Sequence, residues 1–323
     1  MEVHLPYSIG SRDVSALMQM AKKVYECQDE KIVFNGERVH FIDPFGLTTL
    51  GALLCNLRDR KLSMPWLPRD VASYMARMDL FKHFDIDGVE YDPNASRADA
   101  SSRLVELRCL QNSTESEKLA NDLADAITGT IAARGEGELG EDRFEKFRHP
   151  IWYSLSELLD NSITHARQKN NTRASVWIAS QYYPSGGYVR MSVTDNGCGM
   201  LATLEKHEQL KEKTHLEAVK AALVPRVSCN RDGSLYLEQG NQGVGLTTTA
   251  RIARAARGHI TVVSGDAVVR NRMQDAEAVV PRGFWKGVSI GFQCKRAQLP
   301  AVRLGQLLPA EQQGDAVKLL NFG

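Results

Sequence analysis

The sequence predicts an α/β fold built from two units. In the first unit, strand-like segments at 31–36 and 40–42 are followed by leucines at helical spacing from Gly46 onward. In the second unit, alternating apolar residues predict a hairpin within 174–193, with apolar stripes of helical period before and after it. This alternation of strands and helices favours a sheet covered by helices.

Composition along the chain predicts the domain boundaries. Residues 1–91 and 103–299 form the two units, each long enough to bury a core of its own. Residues 92–102 are polar and read as the linker between them. Residues 300–323 form a C-terminal tail.

Bulk properties exclude several classes of protein. The chain has 323 residues, of which 43% are hydrophobic and 24% charged, and its formal net charge is +1. This balance gives no electrostatic case for binding nucleic acid or a membrane surface. Six scattered cysteines without a C-x-x-C spacing argue against zinc and disulfides and favour reduced thiols. Without a signal peptide or a spanning apolar stretch, we expect a cytoplasmic protein.

Glu157 and Asn161 are the first candidate site residues. They are four residues apart, so on a helix they lie on one face, one turn apart. A carboxylate can take a proton from an attacking oxygen, and an amide oxygen suits a hard cation such as Mg²⁺. His165, one turn further on, is either a phosphate contact or a structural residue at a helix end. Taken alone, the pair is equally compatible with the exposed face of an amphipathic helix.

Two glycine-containing segments complete the pattern. Asp195 ends the predicted hairpin, and Gly197 and Gly199, with Met200 beside them, let the backbone approach a flat ligand closely. A glycine-rich loop then opens a helix, where free N–H groups and the helix dipole favour phosphate. The predicted nucleotide-binding residues of this loop are Gly240, Asn241, Gln242, Gly243, Val244, Gly245 and Leu246.

In this order, the three motifs resemble the ATP-binding domain of the Bergerat-fold superfamily, which includes DNA gyrase B, ninety-kilodalton heat-shock chaperones, histidine kinases and MutL. The resemblance implies an α+β sandwich in which a mixed sheet carries helices on one face. It implies ATP and Mg²⁺ as ligands, with Glu157 as general base, Asn161 as metal ligand and Asp195 as acceptor for the adenine amine. Residues from about 200 to 243 would form a lid.

The last predicted strand departs from the family pattern. The family usually has Gly-Thr at the start of this strand, where the hydroxyl helps to fix a water between adenine and the aspartate. This chain has Gly287-Val288 instead. We expect Thr261 or Ser289 to supply the hydroxyl, and Thr261 is therefore included among the predicted nucleotide-binding residues.

The N-terminal unit resembles the STAS domain of anti-sigma-factor antagonists. Asp43, Gly46 and Leu47 match the turn that carries the phosphorylated hydroxyl in that family. Phe45 occupies the acceptor position, and a phenyl ring cannot be phosphorylated. A plain α/β cap domain is the alternative. The strand and capped helix that open the second unit, at 104–131, resemble the anti-sigma serine kinases more than gyrase.

The resemblance implies a regulatory protein that binds Mg·ATP. It either hydrolyses ATP or transfers the γ-phosphate to a serine or threonine of a partner protein. The alternative is a non-catalytic module whose lid reports ATP against ADP to a protein partner. Nucleic-acid action has little support, and homodimerisation is left open by the sequence.

Overall fold

The computed structural model describes residues 1–92, 100, 103–110, 112–128, 137–169, 171–208, 210–225, 227, 245–271, 276–302 and 307. The helices are α1 (Val14–Glu26), α2 (Pro44–Cys55), α3 (Arg69–Arg77), α4 (Leu80–His83), α5 (Ser116–Thr128), α6 (Gly137–Ala166), α7 (Gly199–Leu204), α8 (His215–Ala222) and α9 (Gly245–Ala255). The strands are β1 (Glu2–His4), β2 (Ser8–Ile9), β3 (Lys31–Asn35), β4 (Phe41–Ile42), β5 (Lys61–Ser63), β6 (Leu104–Leu110), β7 (Val176–Tyr183), β8 (Tyr188–Asp195), β9 (His259–Gly265), β10 (Ala267–Asn271), β11 (Ala276–Val279) and β12 (Trp285–Lys295).

The large sheet has seven strands in the order β11-β10-β9-β12-β8-β7-β6. The predicted α/β class is confirmed, as is the hairpin of β7 and β8 that ends at Asp195. Every neighbouring pair in this sheet is antiparallel, so the expectation of a mixed sheet is corrected. The tight turns that join β7 to β8 and β9 to β10 permit only antiparallel pairing.

Helices α5, α6 and α9 cover one face of this sheet. The predicted stripe of α5, with Leu119, Leu123 and Ile127, is buried in the core on this side. Helix α6 begins at Gly137 and continues through Pro150 to Ala166. The residues before Pro150 include several good helix formers, which favours a start ahead of the proline.

The N-terminal unit covers the opposite face of the sheet. It contains a parallel sheet, β1-β3-β5, and a parallel strand pair, β2-β4. Helix α2 is buried from Pro44 to Leu54, which explains its nearly uniform apolar sequence. One apolar core joins this unit to the large sheet through Trp177 of β7 and Trp285 of β12. Helices on one face and the N-terminal unit on the other therefore enclose the large sheet.

Several predicted features keep their status as predictions. The STAS-like character of residues 1–91 and the domain boundaries are not tested by the architecture. Most of the predicted linker and tail lie outside the described residues. Of the charged stretch from Glu205 to Glu217, residues 205–208 and 210–214 lie between α7 and α8, and the last three residues belong to α8.

None of the helices in the described part of the chain combines the length and the apolar content needed to cross a membrane.

Candidate functional site

A cleft opens on the helix-covered side of the sheet. Its walls are the second half of α6, the end of β8, helix α7, the first turn of α9 and residues of the α8 region. It holds about 770 Å³ of empty space, including space open to solvent. Of the predicted residues, Asn161, Asp195, Gly199, Met200, Gly245 and Leu246 line this cleft.

Asp195 is the buried carboxylate of the cleft, with a residue exposure of 4%. Its Oδ1 accepts hydrogen bonds from the backbone N–H groups of Gly197, at 2.8 Å, and Val288, at 3.2 Å. Among the described residues Oδ2 has no hydrogen-bond partner. Burial raises the pKa of Asp195 to about 7, although the two N–H groups lower it. The side chain therefore offers the cleft one acceptor atom whose charge changes near neutral pH.

The turn after Asp195 requires both of its glycines. A Cβ on Gly197 would lie 2.5 Å from the Cα and carbonyl oxygen of Ala166, at the end of α6. Gly199 has a φ of +79°, in the left-handed region that glycine adopts without strain. Each glycine thus brings the backbone closer to a neighbouring element than a side chain would permit.

Ser264 fixes the backbone beside this turn. Its hydroxyl accepts a hydrogen bond from the Met200 N–H and donates one to the Gly287 carbonyl oxygen, both at 3.0 Å. A Cβ on Gly287 would lie 2.4 Å from Asp195 Oδ1. One serine therefore joins the start of α7 to the strand that also holds the aspartate, a contact that the sequence analysis missed.

Thr261 and Ser289 do not lie in the cleft. Thr261 lines a small cavity with Phe45 and Arg190, on the face covered by the N-terminal unit. Ser289 shares a hydrogen bond with Thr194 on that same face. The expectation that one of them supplies a hydroxyl near the adenine base is therefore wrong. Both faces of these strands are buried, so sequence alternation alone does not show which residues face the cleft.

Glu157 and Asn161 lie together where α6 meets α9. A Cβ on Gly245 would lie 2.9 Å from Glu157 Cβ and 3.2 Å from Asn161 Nδ2. Within the described part of the chain neither side chain has a hydrogen-bond partner. Burial, and then the charge of Asp160, raise the pKa of Glu157. The N-terminal dipole of α9 thus lies beside the carboxamide of Asn161 and close to Cβ of Glu157.

The cleft contains further polar side chains that the sequence motifs do not mark. Ser162 and Thr203 line it, and each donates its hydroxyl hydrogen to a carbonyl oxygen of its own helix. His165 also lines it, and burial lowers its pKa, which favours the neutral imidazole. The only sequence feature that places Ser162 near the site is its position next to Asn161 on the same helix.

The remaining predicted residues fall outside the described part of the chain. They are Gly240, Asn241, Gln242, Gly243 and Val244. Gly245 and Leu246, which follow them directly, line the cleft at the first turn of α9.

The residues present fit a magnesium ion bound mainly by a nucleotide. In the described ranges no group of three or more His, Cys, Asp or Glu side chains could hold a metal. Mg²⁺ in nucleotide sites keeps several waters and is held by phosphates and one or two protein oxygens. The free carboxamide of Asn161, in the wall of the cleft beside the start of α9, provides one such oxygen.

Comparisons with known proteins agree with this geometry. The model of the family described as histidine kinase-, DNA gyrase B- and HSP90-like ATPase matches residues 150–282, which is less than half of the chain. The comparisons with curated proteins and with solved structures gave no match. The matched range includes Glu157, Asn161, Asp195 and the start of α9, so this part of the chain is similar to the ATP-binding domain of that family.

Proposed function

We propose that this protein binds Mg·ATP in the cleft and transfers the γ-phosphate to water or to a serine or threonine hydroxyl of a partner protein. The observation that carries the proposal is the position of Glu157. Its carboxylate has no hydrogen-bond partner in the described part of the chain, and its Cβ lies close to Gly245, at the start of a helix whose dipole favours a phosphate group.

In the proposed binding mode the base lies against the end of β8. Asp195 accepts a hydrogen bond from the adenine amine through Oδ2, because Oδ1 is already occupied by two backbone N–H groups. The N-terminus of α9 receives the phosphates. When bound, Mg²⁺ neutralises charge on the phosphate oxygens, and Asn161 is the residue that would hold it.

Glu157 performs the proton transfer in the proposed reaction. The attacking hydroxyl oxygen forms a bond to the γ-phosphorus while the bond between that phosphorus and the β–γ bridging oxygen breaks, releasing ADP. The hydroxyl proton passes to Glu157. A pKa raised by burial makes this carboxylate a better base than an exposed glutamate.

The burial of Phe45 directs the proposal towards an external acceptor. Phe45 is 4% exposed, and its ring packs against Gly291 of β12, on the face opposite the cleft. The turn that resembles a STAS phosphorylation site therefore has neither a hydroxyl at the acceptor position nor access to the cleft. A partner protein, rather than this turn, is the proposed acceptor.

The alternative is a non-catalytic sensor of ATP against ADP, and one contact favours it. His215, at the start of α8, packs edge-on against Phe284, whose N–H donates to the Met18 carbonyl oxygen of α1. Because residues of the α8 region also line the cleft, a change there could reach the N-terminal unit. A cytoplasmic location remains a prediction of the sequence, and homodimerisation remains open.

The Glu157→Ala variant separates catalysis from sensing. General-base catalysis contributes about 10²–10⁴-fold, so we expect turnover to fall by that factor while nucleotide affinity changes little. The measurement follows label from γ-labelled ATP with Mg²⁺, into free phosphate or into proteins encoded by neighbouring genes. Glu30→Ala, a change at an exposed glutamate of the N-terminal unit, is the matched control.

Unchanged turnover in Glu157→Ala would remove this residue from the mechanism. Nucleotide binding by the wild type without release or transfer of label would favour the sensor instead.

A further inference from the structure

The side chains of β8 divide between the two faces of the sheet. Successive residues of a strand point to opposite faces. Val193 belongs to the core on the cleft side, and Asp195 lines the cleft itself. Arg190, Ser192 and Thr194 point the other way, towards α2. A single strand thus contacts the nucleotide site on one side and the N-terminal unit on the other.

Each of the three polar side chains contacts α2 or the residue that caps it. Arg190 Nη1 lies 3.4 Å from Oδ2 of Asp43, the N-cap of α2. Thr48 Oγ1 donates to Ser192 Oγ at 2.8 Å and lies 2.8 Å from Thr194 Oγ1. Helix α2 therefore packs along β8, and polar contacts join the two elements as far as Thr194, near the C-terminal end of the strand.

The same alternation continues one residue beyond the strand, at Asn196. Its Nδ2 donates a hydrogen bond to Oδ1 of Asn56, the C-cap of α2, at 2.8 Å. Its Oδ1 accepts one from the Ser175 N–H, also at 2.8 Å. Asn196 is 5% exposed, so its side-chain amide is held from both ends in a buried setting. Asn196 lies between Asp195 and Gly197, the residues that shape the base end of the cleft.

We propose that Asn56 is a positioning residue for nucleotide binding. Through Asn196, the N-terminal unit holds the turn that presents Asp195 to the base. The inference rests on the proposed binding of an adenine nucleotide in the cleft, and it adds that the ATP-binding domain depends on the N-terminal unit for its full affinity.

The contrast in burial between the two asparagines supports this role. Asn56 is exposed, whereas Asn196 is buried. Removing the Asn56 side chain leaves the Asn196 amide without its acceptor, and an unpaired donor in a buried setting is unfavourable. A shift of the turn towards water relieves this penalty. Because Asp195 directly precedes Asn196, the same shift moves the Asp195 carboxylate away from the adenine base.

The test compares Asn56→Ala with Asn56→Asp in the full chain. In Asn56→Ala we expect the dissociation constant to rise about fivefold, the lower end of typical couplings between sites. The rise should be equal for adenosine, ADP and Mg·ATP, because the affected contact is to the base. Asn56→Asp retains an acceptor oxygen and should stay within about twofold of the wild type. Asp59→Ala, an exposed change just beyond the same helix end, is the control.

Three results would overturn the inference. The first is an Asn56→Ala variant that binds adenosine and ADP as tightly as the wild type. The second is a lower thermal midpoint with unchanged affinity, which indicates a merely structural role. The third is an equal loss in Asn56→Ala and Asn56→Asp. If the wild type itself binds none of these ligands, the proposed function fails first and the inference fails with it.

Discussion

Two buried aspartates on opposite faces of the large sheet have different surroundings. Asp43 is 0% exposed and Asp195 4% exposed, and each has a glycine among the three residues that follow it. Both oxygens of Asp43 have partners. Oδ1 accepts from the Gly46 N–H, and Oδ2 accepts from the N–H and hydroxyl of Ser11 and from Arg190. Among the residues that the structure describes, only Oδ1 of Asp195 has partners, and the residue borders an open cleft.

The comparison separates a structural carboxylate from a ligand-binding one. A carboxylate whose lone pairs are all used by the chain can stabilise only the fold. A carboxylate with one occupied oxygen and one available oxygen is positioned by the fold and still has capacity for a ligand. The two aspartates lie in similar short motifs, so the difference comes from the surrounding structure and not from the residue type.

Replacing Asp43 should have the largest effect on stability. Asp43→Ala leaves Arg190 without its buried partner and two N–H groups without their acceptor. Loss of one partner of a buried ion pair commonly costs about 3–5 kcal/mol. We expect the free energy of unfolding in denaturant to fall by that order. Asp59→Ala, at an exposed site, should change it by less than about 0.5 kcal/mol. A fully stable Asp43→Ala variant would remove the structural half of the comparison.

Replacing Asp195 should instead affect affinity. In Asp195→Asn the amide oxygen takes the place of Oδ1 between two backbone donors, so the NH₂ group faces the cleft. A donor then meets the adenine amine, which is also a donor. We expect ADP binding to weaken by about 10–100-fold, as for a lost hydrogen bond to a charged group. The free energy of unfolding at neutral pH should not decrease, because a neutral amide replaces a buried carboxylate.

Titration calorimetry measures the affinity for ADP, and unfolding in denaturant measures the free energy of unfolding. If Asp195→Asn loses stability without losing affinity, the two aspartates play the same structural role and the contrast fails.

The smallest expected effect is the pH dependence of stability and of ADP affinity that arises from Asp195. Burial raises the folded-state pKa of Asp195 from 3.8 to about 7. The contribution of Asp195 to stability is therefore greatest below about pH 4 and is lost as the pH rises to about 7. Affinity for ADP follows the opposite trend, since only the ionised carboxylate accepts the amine hydrogen bond. We expect it to fall up to about tenfold per pH unit below 7 in the wild type.

The Asp195→Asn variant is the control for this titration. Its ADP affinity should lack the component that titrates near pH 7, so the ratio of wild-type to variant affinity should fall as the pH is lowered. A ratio that stays constant with pH would show that Asp195 does not determine the affinity.

Much of the second unit could be predicted from the sequence because its signals are local. The hairpin that ends at Asp195 follows from alternating apolar residues, and the apolar stripe of α5 follows from helical period. Gly197 and Gly199 mark a close approach of the backbone, and the structure shows the neighbours that require it.

The arrangement of the two units was not predictable in the same way. Contacts such as that of Asn56 with Asn196 join residues far apart in the chain, and no local pattern indicates them. The role of Ser264 was missed for a related reason. Both faces of β9 are buried, so the sequence does not show which residues point to the cleft.

The most direct test of the account is calorimetric titration of the full chain with ADP, one pH unit above the Asp195 pKa of about 7. The account predicts saturable heat with one nucleotide bound per chain, and much weaker binding by Asp195→Asn under the same conditions. Absence of binding heat with both ADP and Mg·ATP at millimolar concentrations, or equal binding by the variant, would contradict it.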